Sequence, residues 1–230
     1  PLRKAPAPNG TSIIMTLPER LAQYHAAEGA EEYLDEYNKF HRKLSDRREH
    51  KLLDSYFERV GKIATALDLP CGWGRYMPYL RSQGAEVLEA DYSGSMVTKV
   101  AEVFPETPLL GRMRCFGHRI PLQDQAVELV FSMRLSHHLA DPIVRKEHVE
   151  ELFRVSERWV IFTYFDRASL KNVIRRARTS IGLSKKTPKN TLSRMQVRNI
   201  AKEAGFKIHE DPMLFVVGSG HRLVLAERVS

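Results

Sequence analysis

The chain predicts a doubly wound, mainly parallel α/β sheet with helices packed before it. Three observations carry that prediction. Short apolar runs alternate with segments whose apolar residues recur at helical spacing. Two early runs end on an aspartate, Asp68 and Asp91, and the first passes into a turn holding Gly72 and Gly74. The last two apolar stretches meet with no helical segment between them, as antiparallel neighbours do. With 230 residues, 43% of them hydrophobic, the chain can fill one such core and add a modest covering element.

In chain order, Leu17 to Val60 reads as helical: Leu21, Tyr24, Tyr33, Tyr37, Phe40, Leu44, Leu52, Leu53, Tyr56 and Phe57 fall at roughly helical spacing among many charges, and Gly29 divides the stretch. Ile63 to Asp68 is a strand, and Gly72 to Ser82 a turn entering a helix. Ala85 to Asp91 is the next strand, Ser95 to Val103 a helix, and Met113 to Phe116 a weaker strand. Ala126 to Met133 reads as a buried strand, Val144 to Val155 as a helix, and Trp159 to Phe165 as a strand. Ser193 to Ala204 is a helix with Ser193 at its N-cap and Gly205 closing it. Phe206 to His209 and Phe215 to Ala226 close the chain as an antiparallel pair, with Gly218 and Gly220 between apolar stretches. The expected division is a tail and helical cap over 1–60 and a Rossmann-like domain over 61–230, with a basic insertion at 166–190.

Composition narrows the function. No apolar run approaches the ~18 residues of a membrane span, and Pro1 to Gly10, with three prolines and two basic residues, is not a secretory start. A chain opening at Pro1 is processed, trimmed or a piece of a longer one. Two cysteines, Cys71 and Cys115, make neither a disulfide framework nor a metal-ligand spacing, so a cytoplasmic setting is expected. The net charge of +8 favours anionic partners: nucleic acid, phosphorylated small molecules or an acidic membrane surface.

The most informative stretch is Thr65 to Arg75, T-A-L-D-L-P-C-G-W-G-R. A strand ends at Asp68 and turns through Gly72 and Gly74 at the carboxyl edge of the sheet, where open α/β folds bind ligands. Glycine suits a backbone that must approach a ligand closely, because a Cβ would intrude. Asp91 ends the next strand, where a carboxylate accepts hydrogen bonds from ribose hydroxyls in nucleotide-binding units or caps the following helix.

Together with E-A-D-Y-S-G-S-M and R-I-P-L-Q-D-Q-A-V-E-L-V-F-S-M-R-L-S-H-H-L-A-D-P, this stretch resembles the S-adenosylmethionine (SAM)-dependent methyltransferases of the methyltransferase-11/25 type over about Ile63 to Phe165. The resemblance implies SAM as cofactor and S-adenosylhomocysteine (SAH) as product. It implies that Asp68, Leu69, Pro70, Cys71, Gly72 and Gly74 hold the methionine portion, that Asp91 holds the ribose, and that Tyr92, Ser93 and Met96 lie beside the adenine. Three positions depart from the family pattern. Pro70 stands for the first glycine and offers no N–H; Trp73 replaces a small residue; Phe116 replaces an acid that recognises the adenine amine. A phenyl ring packs on an adenine face without accepting its hydrogen bond, leaving the Gly117 N–H for a ring nitrogen.

Methyl transfer from a sulfonium is an in-line displacement governed by alignment, and a hydroxyl or ammonium acceptor also needs a base. His137 and His138, after the fourth strand, are the candidate bases, with packing or capping as their alternative role. Met133 and Arg134 stand at the same edge, where Arg134 can hold an anionic acceptor or the SAM carboxylate, or lie solvated. No [DN]-P-P-[YF] follows that strand, which disfavours amine methylation of nucleic-acid bases. Glu31 and Glu32 do not match an arginine-methyltransferase pair, and no carboxylate set builds a magnesium site.

The segment Asp166 to Asn190 carries Arg167, Lys171, Arg175, Arg176, Arg178, Lys185, Lys186 and Lys189 against one acid. Leu170, Val173, Ile174, Ile181 and Leu183 interleave with them, so part of it reads as an amphipathic helix for an acidic membrane, a phosphorylated head group or a mobile lid. The function expected is methyl transfer from SAM to an oxygen or nitrogen of a small molecule, with an anionic, lipid- or saccharide-linked acceptor in view. The alternatives are an RNA methyltransferase, and a catalytically idle scaffold or regulatory subunit. Nucleic acid ranks lower because basic charge without a binding module is weak evidence.

Overall fold

The structure, a computed structural model, describes residues 40–183, 190–215 and 220–229. Helix α1 (Phe40–Val60) is followed by β1 (Thr65–Asp68), α2 (Met77–Ser82), β2 (Glu86–Asp91), α3 (Gly94–Val103) and β3 (Gly111–Arg114). Then come β4 (Val127–Ser132), a 3₁₀ turn (Ser136–His138), α4 (Pro142–Val155), β5 (Ser156–Phe165), α5 (Leu170–Ser180), α6 (Arg194–Glu203), β6 (Phe206–Glu210) and β7 (His221–Arg228).

The seven strands form one sheet in the order β3-β2-β1-β4-β5-β7-β6. Pairings from β3 through β5 are parallel, and β7 runs antiparallel to both β5 and β6. The doubly wound sheet with its antiparallel C-terminal pair is thus as expected. The order reverses between β1 and β4, which opens a crevice at their carboxyl ends.

Alternation along the central strands explains why both faces are covered. Leu129 and Phe131 on β4, Trp159 and Ile161 on β5, and Leu223 and Leu225 on β7 pack with α1 and α2. Their neighbours Val130, Val160, Phe162, Val224 and Ala226 face the other way, onto α4 and α6. Helix α1 contributes Leu53, Tyr56, Phe57 and Val60, one helical stripe, and the Tyr56 hydroxyl donates to the Leu223 carbonyl at 2.9 Å.

The helix starts follow side-chain chemistry. Ser93 caps α3, Asp141 caps α4 ahead of Pro142, and Ser193 forms a reciprocal capping box with Gln196 on α6. Asp141–Pro142 moves the start of α4 two residues ahead of the expected Val144, because a capped proline at the first position begins a helix without needing apolar periodicity. The weak strand expected over Met113 to Phe116 instead ends at Arg114, and Phe116 forms an isolated bridge with Arg119. The expected divider Gly29, the helical positions before Phe40, and Gly218 lie outside the described residues. Among the described residues, no helix is long and apolar enough to cross a membrane.

Candidate functional site

The carboxyl ends of β1, β2 and β4 bring most of the expected residues together. Asp68 closes β1 fully buried, and neither of its carboxylate oxygens has a hydrogen-bond partner. Its register partner on β2 is Glu89, also fully buried. Two residues on, Asp91 shares Glu89's face of the strand. Burial, reinforced by Glu89 and Asp91, pushes the Asp68 carboxyl well above the usual carboxylate range. Burial pushes Glu89 up to about 8, against a downward pull from the Cys71 thiol and with Asp91 adding to the rise. Three acids therefore crowd the carboxyl ends of β1 and β2, and burial favours the protonated form of Asp68 and Glu89.

Leu69 is in the core and its N–H donates to the Phe131 carbonyl at 3.0 Å, while the Cys71 N–H donates to the Ala90 carbonyl at 2.8 Å. The Pro70 turn is thereby pinned between β2 and β4. The Cys71 thiol is pushed up by burial and then by Asp91, Glu89 and Asp68, which keeps it protonated and unreactive.

The two turn glycines differ. Gly72 has φ +55° and nothing within 4 Å of where a Cβ would sit, so that direction opens into free space. Gly74 has φ +87°, and a Cβ there would stand 3.0 Å from the Phe104 ring. A Cβ at Gly74 would thus meet the end of α3 and the residue after it, whereas one at Gly72 would meet nothing.

Asp91 clamps the turn. Its Oδ2 accepts from the Gly72 N–H at 3.0 Å and its Oδ1 from the Ser93 N–H at 2.8 Å. A carboxylate accepts about four hydrogen bonds, so this clamp is compatible with holding ribose hydroxyls. Met96 is buried on the first turn of α3. Tyr92 and Phe116 pair with ring centroids 4.6 Å apart, and Phe116 is 47% exposed, which leaves an aromatic ledge after the end of β2. Gly117 packs so tightly that a Cβ would fall 2.6 Å from Leu135 and 2.9 Å from His148. His148 Nδ1 donates to the Gly117 carbonyl at 2.8 Å, and burial lowers its pKa to about 4, so a neutral imidazole holds this loop.

At the end of β4, Met133 is buried and Arg134 adopts φ 65°, a left-handed conformation uncommon for a side chain of that size. The Arg134 N–H donates to Thr163 Oγ1 at 2.7 Å, and its Nη2 donates to Glu49 Oε2 at 2.8 Å. Glu49, on α1, is fully buried and also accepts from Arg75 Nη2 at 3.3 Å and from the Tyr76 hydroxyl. One carboxylate of the N-terminal helix therefore ties the glycine turn to the β4 edge.

His137 and His138 occupy the 3₁₀ turn. The His137 ring lies 4.1 Å from that of His138, 4.5 Å from Phe165 and 5.1 Å from His221, centroid to centroid. Asn190 Nδ2 donates to the His137 carbonyl at 3.0 Å. Arg222 Nε donates to Asp166 Oδ2 at 2.6 Å, locking β7 onto the end of β5 beside this cluster.

Glu89, Glu49, Thr163 and His221 escaped the sequence reading. Glu89 had a legible signal, an acid two residues before Asp91 on a buried strand and so on its face. Glu49 had none, since it sits in the charge run R-R-E-H-K, which reads as a solvated surface.

A model of the methyltransferase domain family matches residues 67–159. No curated protein matches the chain. Among solved structures, magnesium protoporphyrin IX methyltransferase from Synechocystis PCC 6803 with bound SAH superposes with a TM-score of 0.71 at 17% identity, covering 92% of this chain and all (100%) of that one. A SAM-dependent methyltransferase from Mesorhizobium loti gives a TM-score of 0.61 at 16% identity, over 79% of this chain and 98% of that one. One from Aquifex aeolicus gives 0.53 at 22% identity, over 78% and 89%. At such identities the likeness is one of fold.

Proposed function

We propose that this chain, whose residues 67–159 match the methyltransferase domain family and whose fold is that of SAM-dependent methyltransferases, is a class I SAM-dependent methyltransferase that methylates an oxygen or nitrogen of a small anionic molecule. Lipid- and saccharide-linked acceptors fall within that class. The observation that carries the cofactor assignment is the fully buried Asp68 carboxyl, without a hydrogen-bond partner at the carboxyl end of β1, beside a glycine turn where the space next to Gly72 is open.

Bound SAM supplies an electrophilic methyl group on a sulfonium, alongside an ammonium. Asp68 and Glu89 would then offer negative charge to a cationic ligand in a site shielded from water, where such pairing is strong. Asp91 would accept from ribose hydroxyls while keeping its clamp on the Gly72 and Ser93 N–H groups. The Tyr92–Phe116 ledge would pack on adenine, with Pro70, Cys71 and Met96 beside the cofactor. Across the β4 edge, His137 and His138 would take the acceptor's proton, and Arg134, with Met133 beside it, would fix the register of the cofactor relative to α1. The net charge of +8 and the basic α5 support an anionic acceptor.

Calorimetric titration with SAM and with SAH is the deciding experiment. Micromolar binding of both, lost in Asp68→Ala, is the expected result. A folded wild-type protein that binds neither, or an Asp68→Ala variant that binds both as before, overturns the cofactor site.

A further inference from the structure

Helix α5 is built in reverse for the surface helix of a domain bathed in water. Its polar side faces the protein: Asn172 is buried and donates from Nδ2 to the Asp166 carbonyl at 2.8 Å, and Arg176 donates from Nη2 to the Arg167 carbonyl at 2.7 Å. Arg175, Arg176 and Thr179 are half-buried on that same side. The apolar side faces outward. Leu170, Val173, Ile174, Ala177 and Ile181 follow the helical repeat and make one stripe. Leu170 is 56% exposed, Ile174 47% and Ile181 66%, with Leu183 just beyond the helix at 68%.

Charge decides what such a stripe fits. Lys171 and Arg178 border it on one side, and from Arg167 to Leu183 there are five cations and no acid. A second copy would bring these cations against one another. RNA would engage the cations and leave the apolar stripe in water. An interfacial helix needs both features together: apolar side chains that enter the acyl boundary and cations at the level of anionic head groups.

We infer that α5 docks in the surface of an anionic lipid bilayer and holds one side of the cleft against it. The helix follows directly on the end of β5, where Phe165 meets His137 and His221. Docking therefore brings the lipid surface to the end of the sheet that carries the histidine cluster, a natural entry for an acceptor carried on a lipid anchor. The surface is read by binding alone, so the inference stands or falls apart from the methyl-transfer reading.

Co-sedimentation of the full chain with phosphatidylcholine vesicles, with and without phosphatidylglycerol, tests it. The protein is expected to pellet with phosphatidylglycerol-containing vesicles, to stay in solution with phosphatidylcholine alone, and to be released by salt. The double variant Ile174→Asp/Ile181→Asp should partition at least roughly tenfold less, with an unchanged melting temperature because both positions are exposed. Leu183→Asp alone, outside the helix, should weaken binding in the same sense. Wild-type-like binding by the double variant would reduce the contact to attraction by net positive charge and overturn the inference. Absence of wild-type binding would overturn it too, as would a wild-type dimer that the double variant dissolves.

Discussion

Glu89 links protonation to two measurable properties with opposite slopes. In the ligand-free protein its pKa stands at about 8 against an ordinary 4.5, chiefly through burial. Below the ordinary value it is neutral whether the chain is folded or unfolded. As pH rises toward 8 the unfolded chain gives up this proton while the folded one keeps it. Stability therefore declines across that window, by at most about 5 kcal/mol at ~1.4 kcal/mol per unit, and then levels off. Asp68 is shifted the same way and adds to the slope. Denaturant midpoints of the ligand-free protein should fall as pH rises through this range, and Glu89→Gln should flatten the decline. SAM affinity should move oppositely, rising over the same range as the carboxyls ionise toward a cationic ligand, and rising less steeply for SAH, which lacks the sulfonium charge. A Glu89→Gln variant that leaves both titrations unchanged would remove the residue from the site.

Between neighbouring elements, the glycine turn separates stability from binding. Gly74→Ala sets a methyl at 3.0 Å from the Phe104 ring in a left-handed backbone, and should cost about 2 kcal/mol of unfolding free energy. Gly72→Ala meets only the backbone cost of about 1 kcal/mol, but its methyl projects into the open space beside the turn and should weaken SAM binding more than it lowers stability. Equal losses in both variants by both measures would erase the distinction. The pair was legible in the sequence as a turn; the division of labour was not, because it depends on Phe104 folding back from the far end of α3. Glu49 belongs to the same scale. Glu49→Ala leaves Arg75 and Arg134 without their shared carboxylate, and chemical denaturation should show a loss of about 2–3 kcal/mol, discounted for the partial exposure of both arginines. From the sequence alone Glu49 is one charge among four consecutive ones, Asp46 to Glu49, and only the docking of α1 onto the sheet makes it a buried hub.

For the molecule as a whole, cofactor binding should appear as global stabilisation. At a hundredfold excess over its dissociation constant SAM should add about 2.7 kcal/mol, a rise of roughly 5–10 °C in melting temperature for a chain of this size; a smaller shift would mean that the unfolded chain or a competing state also binds it. The sheet was readable at this scale because strands buried on both faces appear as mostly apolar runs, as Ala126 to Met133 does with Glu128 and Ser132 its two polar residues. The histidine cluster was half readable: His137 and His138 stand together in the chain, whereas His221 joins them only through the antiparallel return of β7. That return bears on biosynthesis. Strand β7 lies between β5 and β6, so everything from α1 to β6 leaves the ribosome before its central partner exists. Until then β5 presents an open edge and β6 has no neighbour at all, a state prone to wrong pairing. Any message cut short before His221 thus yields a chain with most of its core residues and no way to close its sheet, fit for chaperones and proteases rather than for chemistry.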